Sequence, residues 1–396
     1  MGHPLKISFQ VVLIAIVLVV LPPTPWQLSA ADEPDPILKP LLDVGKPVSL
    51  TDLETDPVPV EQNAAEVLET LADAIKLFDN RLARASQDAE SDEEFDAALV
   101  LTSRLLSERY PDLVPALRGA AKRKIYRAGH DSSLPPQEWM ASVMNELGPI
   151  RTVARILNGH AKMSLADQDT DAAALDAIAL MQWSEHVAKQ PCLISFLVST
   201  VLLDNAMELA ADCLYQEKLS DSVRGQLIEA VKNNSFRKSF AGSVDSERAF
   251  GISSINALRA QGVPMPGELA AYLKLISDFD QIAGRPFGFA KEPPETESLF
   301  ARSVWPALTG GLAALRRSQA KSNAVLILAA WQDAGANHDT QIDALPVANS
   351  IKLDPFDGST MKLLWDEKGV SIYSVGENLI DDQGSLMERV DIGISP

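Results

Sequence analysis

Near the C-terminus, Asn378, Asp381 and Asp382 fall within five residues, and Asp391 follows on the same stretch. Carboxylates and amides are hard oxygen donors, and calcium takes about six to eight of them. Gly384 beside them permits a tight turn. The spacing is not the EF-hand D-x-[DN]-x-[DN]-G, so Asn378, Asp381, Asp382 and Asp391 read either as an irregular calcium loop or as a hydrated acidic turn. Calcium is the one cofactor this pattern suggests. A second acidic group, Asp204, Glu208 and Asp212, recurs every four residues and falls on one stripe of a helix. It reads as the solvated face of an amphipathic helix, with a groove for a cation or a basic peptide as the alternative. Glu247 and Arg248 are adjacent and read as an ion pair that fixes neighbouring helices.

Signals for catalysis are thin. The stretches "SFRK" (Ser235–Lys238) and "SQAK" (Ser318–Lys321) match S-x-x-K, but S-D-N and K-T-G are absent. The chain has no G-x-S-x-G, H-E-x-x-H, P-loop or G-x-G-x-x-G. Its histidines, His3, His130, His160, His186 and His338, are too scattered to suggest a metal cage. No catalytic residue is assigned on these grounds.

The elements that position these groups follow from composition and period. The 396 residues are 46% hydrophobic, enough for a sizeable core. The net charge of −19 repels phosphate backbones, which argues against nucleic acid as a partner. Lys6, the apolar run Ile7–Leu21, the "PPTP" break and "SAA" before Asp32 read as a signal peptide over residues 1–31. The protein is therefore expected in the periplasm or cell envelope. A retained leader would anchor it to the inner membrane, and that is the only membrane contact expected. Six prolines in 32–62 mark an extended, acidic spacer.

Residues 63–336 carry helical periodicity. "NAAEVLETLADAIKLFDNRLARA" places Val67, Leu68, Leu71, Ile75 and Phe78 on one stripe. Further helices are expected over "DAALVLTSRLLSERY", Leu113–Arg127, "QEWMASVMNEL" and "IRTVARILNGHAKMSLA", the last two separated at Gly148–Pro149. "DTDAAALDAIALMQWSEHVAKQ" begins with Asp or Thr caps. Cys192 and Cys213 bound one helix and so lie roughly 31 Å apart, too far for a disulfide. "LISFLVSTVLL" is a buried core helix rather than a membrane span. Others are expected near "SDSVRGQLIEAVKNN", Asp245–Gln261, Pro266–Ile282 and Pro306–Ala334. The fold class expected is mainly α, antiparallel helical hairpins in a solenoid-like stack or irregular bundle.

Past Asn337 the pattern changes. "MKLLW" (Met361–Trp365) and "VSIYSV" (Val370–Val375) alternate as strands around the turn "DEKG", and "ERVDIGI" (Glu388–Ile394) offers a third strand. This small antiparallel β module, residues 337–396, is expected to pack on the last long helix. There "AVLILAAW" (Ala324–Trp331) is apolar on nearly every side and needs a cover, with Leu363, Trp365, Val370 and Ile372 supplying the strands' apolar faces.

The order helix, "DPFDG", "IYSVG" and acidic loop resembles the C-terminal part of type II secretion pseudopilins over about residues 312–396. Asp354, Pro355 and Gly358 stand in the turn, and Tyr373, Ser374 and Gly376 in the strand. The resemblance implies a calcium loop and association with secretion machinery; it does not reach Met1–Leu21, so pilus assembly is not implied. Over roughly residues 60–396 the chain also resembles a group of uncharacterised exported helical proteins of planctomycete-type bacteria. That likeness is carried by Asn63–Ala65, by "QDTDAAALDAIALMQWSEHVAKQPCLISFL" and by Ser246–Phe250, and it implies no activity. The function expected is that of a non-enzymatic envelope scaffold or protein-interaction module, with other envelope proteins as partners. The alternatives are a hydrolase of envelope polymers using convergent carboxylates and an accessory of secretion or pilus-like machinery.

Overall fold

A computed structural model describes residues 35–396 apart from 55, 88, 128, 217, 234, 286, 288–294, 368 and 387–389. The leader reading lies outside the described residues. The proline-rich stretch is not a free extended spacer. Prolines pre-set φ for a helical first turn, and the chain forms short 3-10 turns at Pro36–Leu38, Thr51–Leu53 and Val60–Gln62 and the helix α1 (Lys39–Asp43). Leu38 and Leu50 are buried against the body. The Lys46 Nζ meets Asp245 at 2.6 Å, and the Leu50 N–H donates to the Ser253 hydroxyl at 3.1 Å.

The expected first helix is two, α2 (Ala65–Thr70) and α3 (Ala72–Ala85), offset at Leu71, where ψ is 4°. The apolar stripe survives the offset: Leu68, Ile75 and Phe78 are buried. Ser91 caps α4 (Asp92–Arg109), its hydroxyl accepting from the Glu94 N–H, with Asp92, Glu93 and Glu94 in the positively polarised first turn. Helix α5 (Leu113–Ala121) ends short of Arg127, because Ile125 forms a parallel bridge to Asn63.

Gly148–Pro149 does not divide the next segment. Helix α6 (Pro136–Ala166) runs straight through it. The missing proline N–H removes one backbone bond, but Trp139, Val143, Leu147, Ile150, Val153 and Leu157 form one unbroken buried stripe, and packing outweighs that loss.

Helices α7 (Thr170–Ala188) and α8 (Leu193–Tyr215) form the centre. Asp169 caps α7, accepting from the Ala172 N–H at 3.0 Å. Around them lie α9 (Asp221–Lys232), capped by Ser220, α10 (Phe236–Ala260), α11 (Glu268–Ala283) and α12 (Leu299–Asp333). Helix α12 starts seven residues before Pro306, where Ser298 caps it. Helix α8 touches α6, α7, α10 and α12. Contacts so far apart in sequence make this an irregular bundle, since a solenoid unit meets only its neighbours. Among the described residues α8 is the one helix long and apolar enough to cross a membrane, and here it is the core of the bundle.

After the short helix α13 (Asn349–Lys352) come β1 (Lys362–Asp366), β2 (Gly369–Ser374) and β3 (Ile392–Ile394), antiparallel in the order β1-β2-β3. Lys362 pairs with Tyr373 and Asp366 with Gly369, so the turn is tight. Strands β2 and β3 lie on α12, where Val370, Ile372 and Ile394 join the main core. The buried carboxylate of Asp354 pins the "DPFDG" turn to the "IYSVG" strand. It accepts from the Phe356 N–H, the Ser374 hydroxyl and the Val375 N–H, each at 2.8 Å. The molecule is mainly α with a small C-terminal β module on its last long helix.

Candidate functional site

Helices α3, α4, α5 and α6 enclose a cavity of about 160 Å³. Phe78, Leu106, Val114 and Ile156 give it apolar walls, and Ser103, Tyr110, Arg118 and His160 bring polar atoms to it. Its lining includes no Asp or Glu. Just behind it stands Asp176 of α7, fully buried. One carboxylate oxygen accepts from Arg118 Nε at 2.7 Å, and the other meets His160 Nδ1 at 2.6 Å. The carboxylate fixes the imidazole tautomer, because Nδ1 must carry the proton that Asp176 accepts. Arg118 Nη2 donates to the Ala172 carbonyl at 2.8 Å. Arg118 Nη1 and His160 Nε2 keep no partner among the described residues.

The Ser103 hydroxyl, on a residue 3% exposed, also has no hydrogen-bond partner among the described residues. It sits where only glycine allows it: a Cβ on Gly159 would stand 2.2 Å from Ser103 Oγ. Among the described residues no serine hydroxyl is bonded to His160.

Sequence reasoning missed this cluster, because His160 was one of five scattered histidines. A signal was present. His160 lies eight residues before Gln168 and Asp176 eight after it, and Gln168, at φ 64°, is the turn of the α6–α7 hairpin. Residues equidistant from an antiparallel turn face each other.

The Asp204, Glu208 and Asp212 stripe is not simply a solvated face. It borders α12, where Ser318 donates to Asp204 at 2.8 Å and Lys321 reaches Glu208 at 2.6 Å. Burial pushes the Asp204 carboxyl up, opposed by Lys321. Glu208 and Asp212 themselves are exposed. The "SQAK" match is thereby explained: Ser318 is buried and, with Lys321, ties α12 to α8. Ser235 of "SFRK" stands at the N-cap of α10.

Glu247 and Arg248 do not pair with each other. Arg248 bonds Asp245 at 2.6 Å and Asp280 at 2.9 Å, joining α10 to α11. Glu247 lies instead near Leu193 at the start of α8, and burial raises its carboxyl to about 7. Cys192 and Cys213 are both free and buried, and burial pushes each thiol up to about 12, as inert sulfhydryls.

In the tail loop, Asp391 accepts from the N–H groups of Asp382, Gly384 and Ser385. Asp381 accepts from the Tyr373 hydroxyl at 3.0 Å and the Gln383 N–H, and the Asn378 amide donates to Asp382 at 2.7 Å. The structure thus brings the four residues together, with Asn378, Asp381 and Asp391 holding backbone N–H groups and Asp382 holding Asn378. Among the described residues no group of three or more His, Cys, Asp or Glu is placed to hold a metal ion.

No protein-family model, curated protein or solved structure matches the chain.

Proposed function

We propose that the chain is an exported envelope protein that acts by binding another protein, a helical scaffold whose C-terminal β module is the docking element. The observation that carries this reading is the open edge of the sheet. Among the described residues strand β1 pairs only with β2, and Leu364 and Trp365 on it are 38% and 41% exposed. Leu379 and Ile380 of the following loop are exposed as well. An apolar edge strand is a template for pairing, and natural proteins shield such edges unless a partner covers them. A peptide strand from another envelope protein would add to β1 through backbone hydrogen bonds, with pockets for alternate side chains setting specificity.

Photo-cross-linking in the native envelope tests the proposal. A cross-linker at Leu364 should yield a discrete heterologous adduct, and one at Leu101, exposed on α4, should not. Leu363→Pro, which removes an N–H directed away from β2 at the sheet edge, should abolish the adduct. Equal labelling from both positions, or none from Leu364, would overturn the docking assignment. An adduct with a pilus-like subunit would place the protein with secretion machinery instead of a general scaffold role.

A further inference from the structure

We propose that the partner segment taken by the β1 edge is a short cationic strand, with lysine or arginine side chains alternating with apolar ones; this inference rests on the docking role proposed above. The open edge has a defined extent. Asp366 and Gly369 flank a tight turn, so Lys362, Leu364 and Asp366 direct their backbone groups to β2, while Leu363 and Trp365 direct theirs outward. The carbonyl of Val370, opposite Trp365, is accordingly free to accept from the Tyr215 hydroxyl. One step earlier the same edge is already occupied. The Met361 N–H donates to the Lys352 carbonyl at 2.8 Å, and Leu353 bridges Thr360. Leu363 and Trp365 continue that ladder, and among the described residues no strand or bridge continues it with them. A short extended segment fits this opening.

Charge sets the chemistry of that segment. Residues 353–396 hold nine acidic and three basic side chains, and acids border the open edge. Asp366 shares the outer face with Leu364, and Asp381 is tied to that face by the hydroxyl of Tyr373, which pairs with Lys362. Asp212 of α8 lies near the turn end: burial pushes the Tyr215 phenol up, and the charges of Asp212 and Asp366 push it further. All three carboxylates are on exposed residues. An added strand sends alternate side chains to opposite faces. Apolar ones on the inner face would cover Trp365 where it packs on Trp331, and cations on the outer face would meet the carboxylates. A second copy of the chain is the poorer occupant. Antiparallel pairing of two β1 strands would set Lys362 against Asp366, an exposed ion pair worth little, while bringing two acidic modules together.

The test uses the purified full chain with the photo-cross-linker at Leu364, irradiated with short capped peptides at equal concentration. One peptide alternates lysine with valine, one alternates glutamate with valine, and the third is the lysine peptide with every amide N-methylated. The lysine peptide should be labelled at least about tenfold more than the glutamate peptide, and the preference should shrink in high salt. The N-methylated peptide keeps its charge but cannot donate to the Leu363 and Trp365 carbonyls, so it should give only background. Asp212→Asn combined with Asp381→Asn keeps an oxygen for the Tyr373 hydroxyl and should cut the lysine-over-glutamate preference about threefold or more. Equal labelling of the lysine and glutamate peptides would overturn the cationic assignment and leave the docking role standing, since the edge would still take a strand. Full labelling of the N-methylated peptide, a preference unchanged in the double variant, or no labelling of any peptide would overturn it as well. A Leu364-linked dimer of the chain with no peptide labelled would give the edge to a second copy. The docking role fails separately, on the absence of a heterologous adduct in the native envelope.

Discussion

Glu247 is the residue at which burial has the most measurable consequence. Its carboxyl is raised to about 7 by burial at the start of α8. The folded state therefore holds this proton at pH values where the unfolded chain, titrating in the ordinary carboxylate range, has released it. Stability from this group is fully present below the unfolded value and is lost as pH rises through about 7. Glu247→Gln keeps the shape of the side chain and removes the charge. The variant should be more stable than the parent by about 1–3 kcal/mol at pH 8, and the gap should close toward pH 4. Urea denaturation across that range checks it; a gap independent of pH would mean the carboxyl is not the source. Little of this was legible in the sequence, where Glu247 and Arg248 read as partners. Adjacent helical residues point about 100° apart, so each finds its own neighbours. The cap of α7 was legible because Asp169 acts within three residues of itself.

At the scale of elements, the helices follow their apolar stripes, and the errors sit where packing overrode a local signal. Pro149 reads as a break, yet α6 continues because its buried stripe does. The three strands sit within a residue or a few of where the alternation put them. The joint between α10 and α11 offers a sharp test. A Cβ on Gly251 would stand 2.3 Å from the ring and hydroxyl of Tyr272, which is fully buried and donates to the Glu247 carbonyl at 2.7 Å. Neither helix has room to yield without breaking that bond. Gly251→Ala should therefore destabilise by about 1–3 kcal/mol or more, as overpacking does. Gly225 of α9 meets nothing within 4 Å, so Gly225→Ala should be stabilising by about 0.5–1 kcal/mol through helix propensity. Opposite shifts in urea midpoint are expected; shifts of the same sign would show that the close packing of Tyr272 is not what glycine serves.

For the whole molecule, the central question is why a helical bundle ends in a β module, and the cover over α12 answers it. Strands β2 and β3 lay Val370, Ile372, Ile392 and Ile394 into buried positions on the helical body. Burying four such side chains is worth about 6–12 kcal/mol of transfer free energy before entropy is subtracted. Trp331 packs on Trp365 at 5.5 Å between ring centroids, and the Tyr215 hydroxyl bonds the Val370 carbonyl at 2.7 Å, so the module reaches α8 as well as α12. The sequence announced this need through "AVLILAAW", too apolar for one contact face; it could not announce that Trp365 would stay 41% exposed at the sheet edge. Deleting residues 353–396 should leave a chain that keeps its helical circular dichroism, binds a hydrophobic dye and self-associates. Asp354→Ala is the milder version of the same cut. It strands the Phe356 and Val375 N–H groups and the Ser374 hydroxyl inside the protein, a loss of about 3 kcal/mol or more. Limited proteolysis should then cleave within the module before the bundle, and the bundle's own melting should shift less than the module's. A truncated chain that stays monomeric with an unchanged melting curve would mean that α12 needs no cover and that the module is held there for its partner alone.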